Sequence, residues 1–383
     1  MDTVEWTVKH LRKGVGQGLT GARYEHYKPL SNKLVTTMVE KILNGKVSEE
    51  TREVLTSCRG LALDKGKTKP DGSQEARPIS VGEAIRRIAT RCMLAQDGPA
   101  IAKQLQTVMQ FGVSVPGGIE YAYHAIRMHL MVLYNEFEEK VGRGDPITDD
   151  DIPAALKVDF SNGYNSTLRS KMLAQIQEKF PHMLRFCRFL YAQQAQIVYM
   201  HQGEVVHRVS SVFGTQQGDP WGGHLFALSI FDFARKLIDQ HPTAMVTFII
   251  DDLTVSDTQG SLVQVAQYID TEGPAYGLTK HPTKGKIYSP HAATDEDYLP
   301  PQPILDLNYT QATRGFDRLL GAPLGEDLYE EDKAYERTVE AMRHMTELKQ
   351  LQNTQVEFML LKYCFSTRTT HLTRMLEPST LHK

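Results

Sequence analysis

The chain has 383 residues, 41% of them hydrophobic, and a formal charge of −3; that excludes a disordered polymer and leaves room for two or three structural units with a well-buried core. Near-neutrality does not exclude a nucleic-acid protein, because binding needs a basic groove and not a basic total. The four cysteines, Cys58, Cys92, Cys187 and Cys364, form no Cys-x-x-Cys pair, which argues against a zinc module or a disulfide scaffold and for a reducing compartment.

The N-terminal stretch Met1-Asp-Thr-Val-Glu-Trp-Thr-Val-Lys-His10 carries no signal-peptide core. No apolar run reaches the ~18 residues of a membrane span. Residues 1–60 read as mostly helical, with Leu34, Met38, Val39 and Ile42 on one apolar face. Gly14 to His26 is glycine-rich but lacks the Gly-Lys-Ser/Thr of a phosphate loop, so a turn leading into a helix is expected there. Gly60–Lys65 and Ala76–Val81 flank turn residues and read as a hairpin. It carries Lys65, Lys67, Lys69 and Arg77, which either solvate an edge or grip phosphates. A helix follows from Gly82 to Ala95, with Ile85, Ile88, Ala89 and Cys92 as its apolar stripe and Arg86, Arg87 and Arg91 nearby.

Gln110–Ile119 is expected to be a loop, residues 119–140 a helix, and most of Glu138–Asp151 a surface loop. The pattern Ala-Ala-Leu-Lys-Val-Asp-Phe is a strand ending on Asp159, followed by a turn that Ser161 or Asn162 caps into a helix. Two helices are expected over 168–192, then a hairpin about Gln202-Gly203. Phe213–Leu228 reads as a glycine-rich turn feeding a helix, with Pro220 at its first position and Gly222 and Gly223 as turn glycines. Ala244–Ser256 is two strand-forming runs about Asp251 and Asp252, which are expected at the hairpin tip. A helix at 261–276, a basic stretch over Gly277–Tyr288, an irregular proline-rich stretch over 289–315, a hairpin over Gly315–Gly325 and helix over 330–376 complete the chain.

Adjacent carboxylates repel each other. An isolated Asp-Asp pair is ordinary turn chemistry; its other use is to hold a divalent cation that offsets the repulsion. Asp159 ends a separate strand, so neighbouring strands could bring all three carboxylates together. Hard cations take carboxylate oxygens and share substrate phosphates, and two of them ~3.5–4 Å apart serve in-line attack at phosphorus.

The motifs, in order, resemble those of reverse transcriptases of non-LTR-type retroelements. Lys157-Val-Asp-Phe-Ser-Asn-Gly-Tyr-Asn-Ser166 is similar to their first catalytic motif. Gly214-Thr-Gln-Gln-Gly-Asp-Pro-Trp-Gly-Gly223 resembles their Gln-Gly-Asp-Pro motif, and Phe248-Ile-Ile-Asp-Asp-Leu253 their x-Asp-Asp box. Gly277–Lys284 resembles the following motif, Arg318–Gly325 the primer-grip region, and Arg77–Arg87 the Arg-Pro-Ile segment. The likeness runs from about residue 14 to about 378.

It implies an α+β right-hand polymerase: fingers over 1–150, a palm with an antiparallel sheet over 151–330, and the start of a thumb over 331–383. It implies two Mg²⁺ (or Mn²⁺) ions held by Asp159, Asp251 and Asp252 with the backbone carbonyl of Phe160. It implies that Lys65 and Arg77 hold the triphosphate, and that Gln217 and Gly218 lie against the incoming base pair. Lys284 would face the leaving pyrophosphate, or else be simply solvated. Tyr164, five positions after Asp159, matches the aromatic that excludes a ribose 2′-hydroxyl; without that context it is a core tyrosine beside a strand. The implied activity is RNA-directed DNA synthesis, with an RNA template, a DNA or RNA primer and dNTPs as partners and no membrane. The alternatives are an inactive or domesticated RNA-binding relative and an RNA-directed RNA polymerase.

Gly163 stands where the family has alanine, Trp221 where a smaller apolar residue is common, and Ile250 where an aromatic or alanine precedes the aspartates. No endonuclease, zinc knuckle or RNase H-type carboxylate set is recognisable. A short thumb would weaken the grip on duplex.

Overall fold

The structure, a computed structural model, describes residues 2–68, 72–290, 298–365 and 369–381; Lys69 lies outside them. The described residues form a mixed α and β fold. In chain order the strands are β1 (Cys58–Thr68), β2 (Gln74–Gly82), β3 (Pro153–Val158), β4 (Ala195–His201), β5 (Glu204–Ser211), β6 (Met245–Ile249), β7 (Asp252–Thr258), β8 (Lys286–Tyr288), β9 (Thr310–Gln311), β10 (Gly315–Leu319) and β11 (Ala322–Gly325). The chain divides into two compact units. The first takes Met1–Ser114, Asn162–Arg235 and Gly273–Thr279; the second takes Val115–Ser161, Lys236–Glu272 and Lys280–Lys383.

The first unit holds a four-stranded sheet in the order β2-β1-β4-β5. β1 and β2 form the expected hairpin, antiparallel from Cys58↔Gly82 to Asp64↔Ala76, and β4 runs parallel to β1. β4 and β5 are joined by Gln202-Gly203, both at positive φ (50° and 89°), which matches the twist that a two-residue hairpin turn needs. Helix Ala84–Gln106 buries Ile85, Ile88, Ala89 and Cys92 as the periodicity implied, but it buries Arg86 and Arg87 as well. Asn162 is the N-cap of helix Gly163–Ser166, as expected, at φ 52° and without a side-chain cap bond. One local expectation fails: Pro220 is not a first helical residue but precedes helix Gly222–Ser229, whose cap position is Trp221.

The second unit holds a five-stranded sheet in the order β6-β7-β3-β8-β9, antiparallel except between β8 and β9. Alternation along β3, β6 and β7 puts Ala154, Leu156, Val158, Val246, Phe248, Leu253 and Val255 on one face, all buried. Burying each of the larger ones is worth about 1.5–3 kcal/mol, and a one-residue slip would turn the whole set to the opposite face, where the buried Thr247, Thr254 and Ser256 stand. The register is therefore fixed by apolar burial. Helix Gly118–Arg143 packs on β3, β6 and β7, and His129 Nδ1 lies 2.8 Å from Ser256 Oγ. Tyr123, Ile126 and Leu130 of that helix share a core with Ala155, Tyr288, Phe316 and Leu324.

The same helix runs to Arg143, into the expected loop, and ends on Gly144 at φ 74°, a left-handed cap that glycine adopts freely. The proline-rich stretch is not wholly irregular: it contains helix Gln302–Asp306 and β9. β10 and β11 pair as a hairpin from Gly315↔Gly325. The closing helical region is broken into Asp327–Leu348, Thr354–Leu360 and Thr370–Met375. No helix among the described residues is long and apolar enough to cross a membrane.

Candidate active site

The second unit carries the acidic residues. β3 and β7 pair up to Val158↔Leu253, so the next step along the ladder sets Asp159, just past the end of β3, beside Asp252, the first residue of β7. The β6–β7 hairpin closes on Ile249↔Asp252. Its two-residue tip is thus Ile250-Asp251 and not the expected Asp251-Asp252. Ile250 has φ 59°. A β-branched residue there is a genuine outlier, costing on the order of 1–3 kcal/mol.

Basic groups border the carboxylates. Lys284 Nζ stands 3.6 Å from Asp159 Oδ1. The Asp159 carbonyl accepts from the His281 amide at 2.7 Å, and Phe160 bridges to Lys280, so the basic stretch runs alongside Asp159. Lys157 lies two residues before Asp159, on the same face of β3, and its Nζ donates to the Arg318 carbonyl of β10 at 2.5 Å.

Asp252 is exposed by surface area, yet its carboxyl has enough protein around it to lose hydration. That desolvation, with the like charges of Asp251 and Asp159, pushes its pKa up, and Lys157 opposes the rise. Burial likewise pushes the Lys157 pKa down, against the pull of Asp252 and Asp159.

The donors at this end of the sheet are all oxygen, the kind a hard divalent cation takes. The repulsion at Asp252 is the tension such an ion relieves. Among the described residues, however, no three side chains of His, Cys, Asp or Glu stand close enough together to hold a metal. Closing a set around an ion requires side chains to turn toward one another.

The first unit carries the other candidates. Lys65 and Arg77 share one face of the β1–β2 hairpin. Lys65 Nζ pairs with Glu75 Oε1 at 2.5 Å, while Arg77 is exposed. Ser80 N–H donates to the Gln217 carbonyl at 2.6 Å. Gly218, at φ 120°, lies so close to β2 that a Cβ on it would meet the Ser80 carbonyl oxygen at 2.7 Å. Only glycine accepts both that φ and that approach. Tyr164 is half-buried and stacks on Phe226, centroids 5.1 Å apart and 12° between planes. A Cβ on Gly223 would come 3.2 Å from the Tyr164 hydroxyl, and one on Gly222 would come 2.8 Å from the Gln216 carbonyl oxygen. Those two glycines make room for packing; they are not the turn glycines expected.

Sequence reasoning missed a buried polar cluster behind Gln217. Arg86 pairs with Asp219 at 2.5 Å, with both side chains nearly inaccessible, and Tyr191 Oη donates to the same carboxylate at 2.8 Å. Periodicity gave no signal of it, because an arginine beside an apolar stripe reads as a surface residue.

No family model matches the sequence, and no curated protein matches it. Among solved structures, the fold is similar to that of apo telomerase from Candida tropicalis truncated from the C-terminal domain, at 10% sequence identity and a TM-score of 0.40, over 70% of this chain and 57% of that one. The chain thus spans little more than half the length of that telomerase chain.

Proposed function

We propose that this chain is a nucleotidyl transferase of reverse-transcriptase type, of the kind found in non-LTR-type retroelements, adding deoxynucleotides to a primer 3′-hydroxyl on an RNA template. The observation that carries the reading is the strand register: Val158↔Leu253 makes Asp159 and Asp252 neighbours, with Asp251 in the adjoining turn. In this reading residues 1–150 are fingers, 151–330 a palm and 331–383 the start of a thumb, in a right-hand arrangement.

Asp159, Asp251, Asp252 and the Phe160 carbonyl would hold Mg²⁺ or Mn²⁺. When bound, such ions lower the pKa of the attacking hydroxyl and offset charge on the leaving pyrophosphate. The chain's own residues do the rest. Lys284, beside Asp159, brings a positive charge to the pyrophosphate. Arg77 grips the triphosphate through its planar fork and Lys65 as a point charge; Lys65 must first leave Glu75. Gln217 and Gly218 offer a flat backbone surface to the incoming base pair. The Tyr164 ring, backed by Phe226, fills the space of a ribose 2′-hydroxyl and favours dNTPs over rNTPs.

Extension of oligo(dT) on poly(rA) with dTTP, in Mg²⁺ or Mn²⁺, tests the reading; no product under either metal sinks it. A second reading, an RNA-binding protein without catalysis, is favoured by the absence of a closed three-ligand group among the described residues. Retention of RNA on a filter with no extension would select it. Extension with rUTP in preference to dTTP would point instead to an RNA-directed RNA polymerase.

A further inference from the structure

The turn that carries Gln217 and Gly218 is held from behind by buried groups that have no part in the chemistry above. Arg86 is 1% exposed. Its Nη2 donates to Asp219 Oδ2 at 2.5 Å and to Gln216 Oε1 at 2.7 Å, and its Nη1 to the carbonyls of Leu55 and Thr56 at 3.3 and 3.2 Å. Tyr191 Oη donates to Asp219 Oδ2 at 2.8 Å, and Asp219 Oδ1 accepts from the Trp221 amide at 3.0 Å. Cys58 Sγ donates to Gln216 Oε1 at 3.1 Å.

A buried ion pair is weak evidence for stability, because well-packed apolar residues often do as well. What the guanidinium supplies is direction: a rigid fork whose donors fix the groups they meet. Here two of its partners, Gln216 and Asp219, bracket Gln217 and Gly218 on either side. On the front of the turn, Ser80 N–H holds the Gln217 carbonyl and Gly218 rests on Ser80. The turn is therefore gripped from two sides, with its two presented residues between.

We infer that Arg86, Asp219 and Tyr191 are positioning residues that fix Gln217 and Gly218 against β2 and so set the KM for the incoming nucleotide. The inference rests on the polymerase reading. None of the three touches substrate; their effect passes through the turn.

Tyr191→Phe removes one hydroxyl and leaves the ion pair. It loses the bond to Asp219 and the 3.4 Å bond accepted from the Gln216 amide, and should raise the KM for dTTP at least about tenfold, the worth of the charge-assisted bond alone, with kcat unchanged. The same variant should speed hydrogen exchange in the peptide carrying Ser80. Replacing the pair together, Arg86→Met with Asp219→Leu, should raise the KM further and also lower the urea midpoint, because Gln216 Oε1 and the Leu55 and Thr56 carbonyls lose their donor. A purely structural role would move the urea midpoint and leave KM and kcat alone. Should the double variant fail to fold, Tyr191→Phe decides: a KM within twofold of wild type overturns the inference. A wild type that extends no primer overturns the polymerase reading, and the claim on KM with it. The positioning claim is then read from exchange alone, faster exchange supporting it and unchanged exchange overturning it.

Discussion

Gly218→Ala puts a methyl group where the backbone of the Gln-Gly-Asp-Pro turn meets β2. The φ of 120° is one that an L-residue adopts at a cost of about 1–3 kcal/mol. The new Cβ would stand 2.7 Å from the Ser80 carbonyl oxygen and 3.1 Å from Ile79 Cγ2. Backbone cannot yield as a flexible side chain does, so the turn must lift. Lifting it breaks the Ser80–Gln217 hydrogen bond, worth about 1 kcal/mol. The sum is a loss of about 2–4 kcal/mol. Urea unfolding followed by tryptophan fluorescence reads it well, because Trp221 is fully buried three residues away, whereas Trp6 is 47% exposed. Primer extension should show a raised KM for dTTP in the same protein. A variant within about 0.5 kcal/mol of wild type, with unchanged KM, would refute the close approach and the role given to the turn.

Two further outcomes are expected. His224 is buried on helix Gly222–Ser229, and burial pushes its pKa down to about 4 from 6.5, against the pull of Asp219. The unfolded chain therefore takes the proton first as pH falls, so the stability His224 contributes is complete above 6.5 and is lost toward pH 4; the gap amounts to about 3 kcal/mol. His224→Gln should flatten the fall in urea midpoint across that window, and an unaltered slope would count against burial as the cause. Tyr164→Ala should reduce discrimination against ribonucleotides by about 10–100-fold in paired dTTP and rUTP extensions, and unchanged discrimination would remove Tyr164 from that role.

How much of this was legible in the sequence depends on the physics behind each element. The hairpins at β1–β2, β4–β5, β6–β7 and β10–β11 announced themselves through strand-forming runs split by turn residues. The end of β3 was placed to within one residue, at Val158 instead of Asp159, because the turn-forming Ser161-Asn162-Gly163 follows closely. The tip of β6–β7 was misplaced because propensity favours aspartate over isoleucine in a turn. The register that buries Val246, Phe248, Leu253 and Val255 overrides that preference and forces Ile250 into positive φ. Pro220 misled for a related reason: local preference named a helix start, and the helix begins only after Trp221, whereas Asn162 does stand at the cap of helix Gly163–Ser166. The burial of Arg86 was invisible to periodicity, which counts an arginine as surface. Its partners, Tyr191 and Asp219, are remote in sequence, and only the folded chain brings them together. The division into two discontinuous units left no compositional mark at all.

The most direct test is single-round dTTP incorporation on poly(rA)/oligo(dT) by the wild type, Asp159→Asn and Asp251→Asn, with circular dichroism recorded on all three. The expected result is extension by the wild type and a loss on the order of a thousandfold in each variant, with spectra superimposed. Near wild-type extension by either variant would contradict a shared role for the carboxylates at the end of β3 and in the β6–β7 turn.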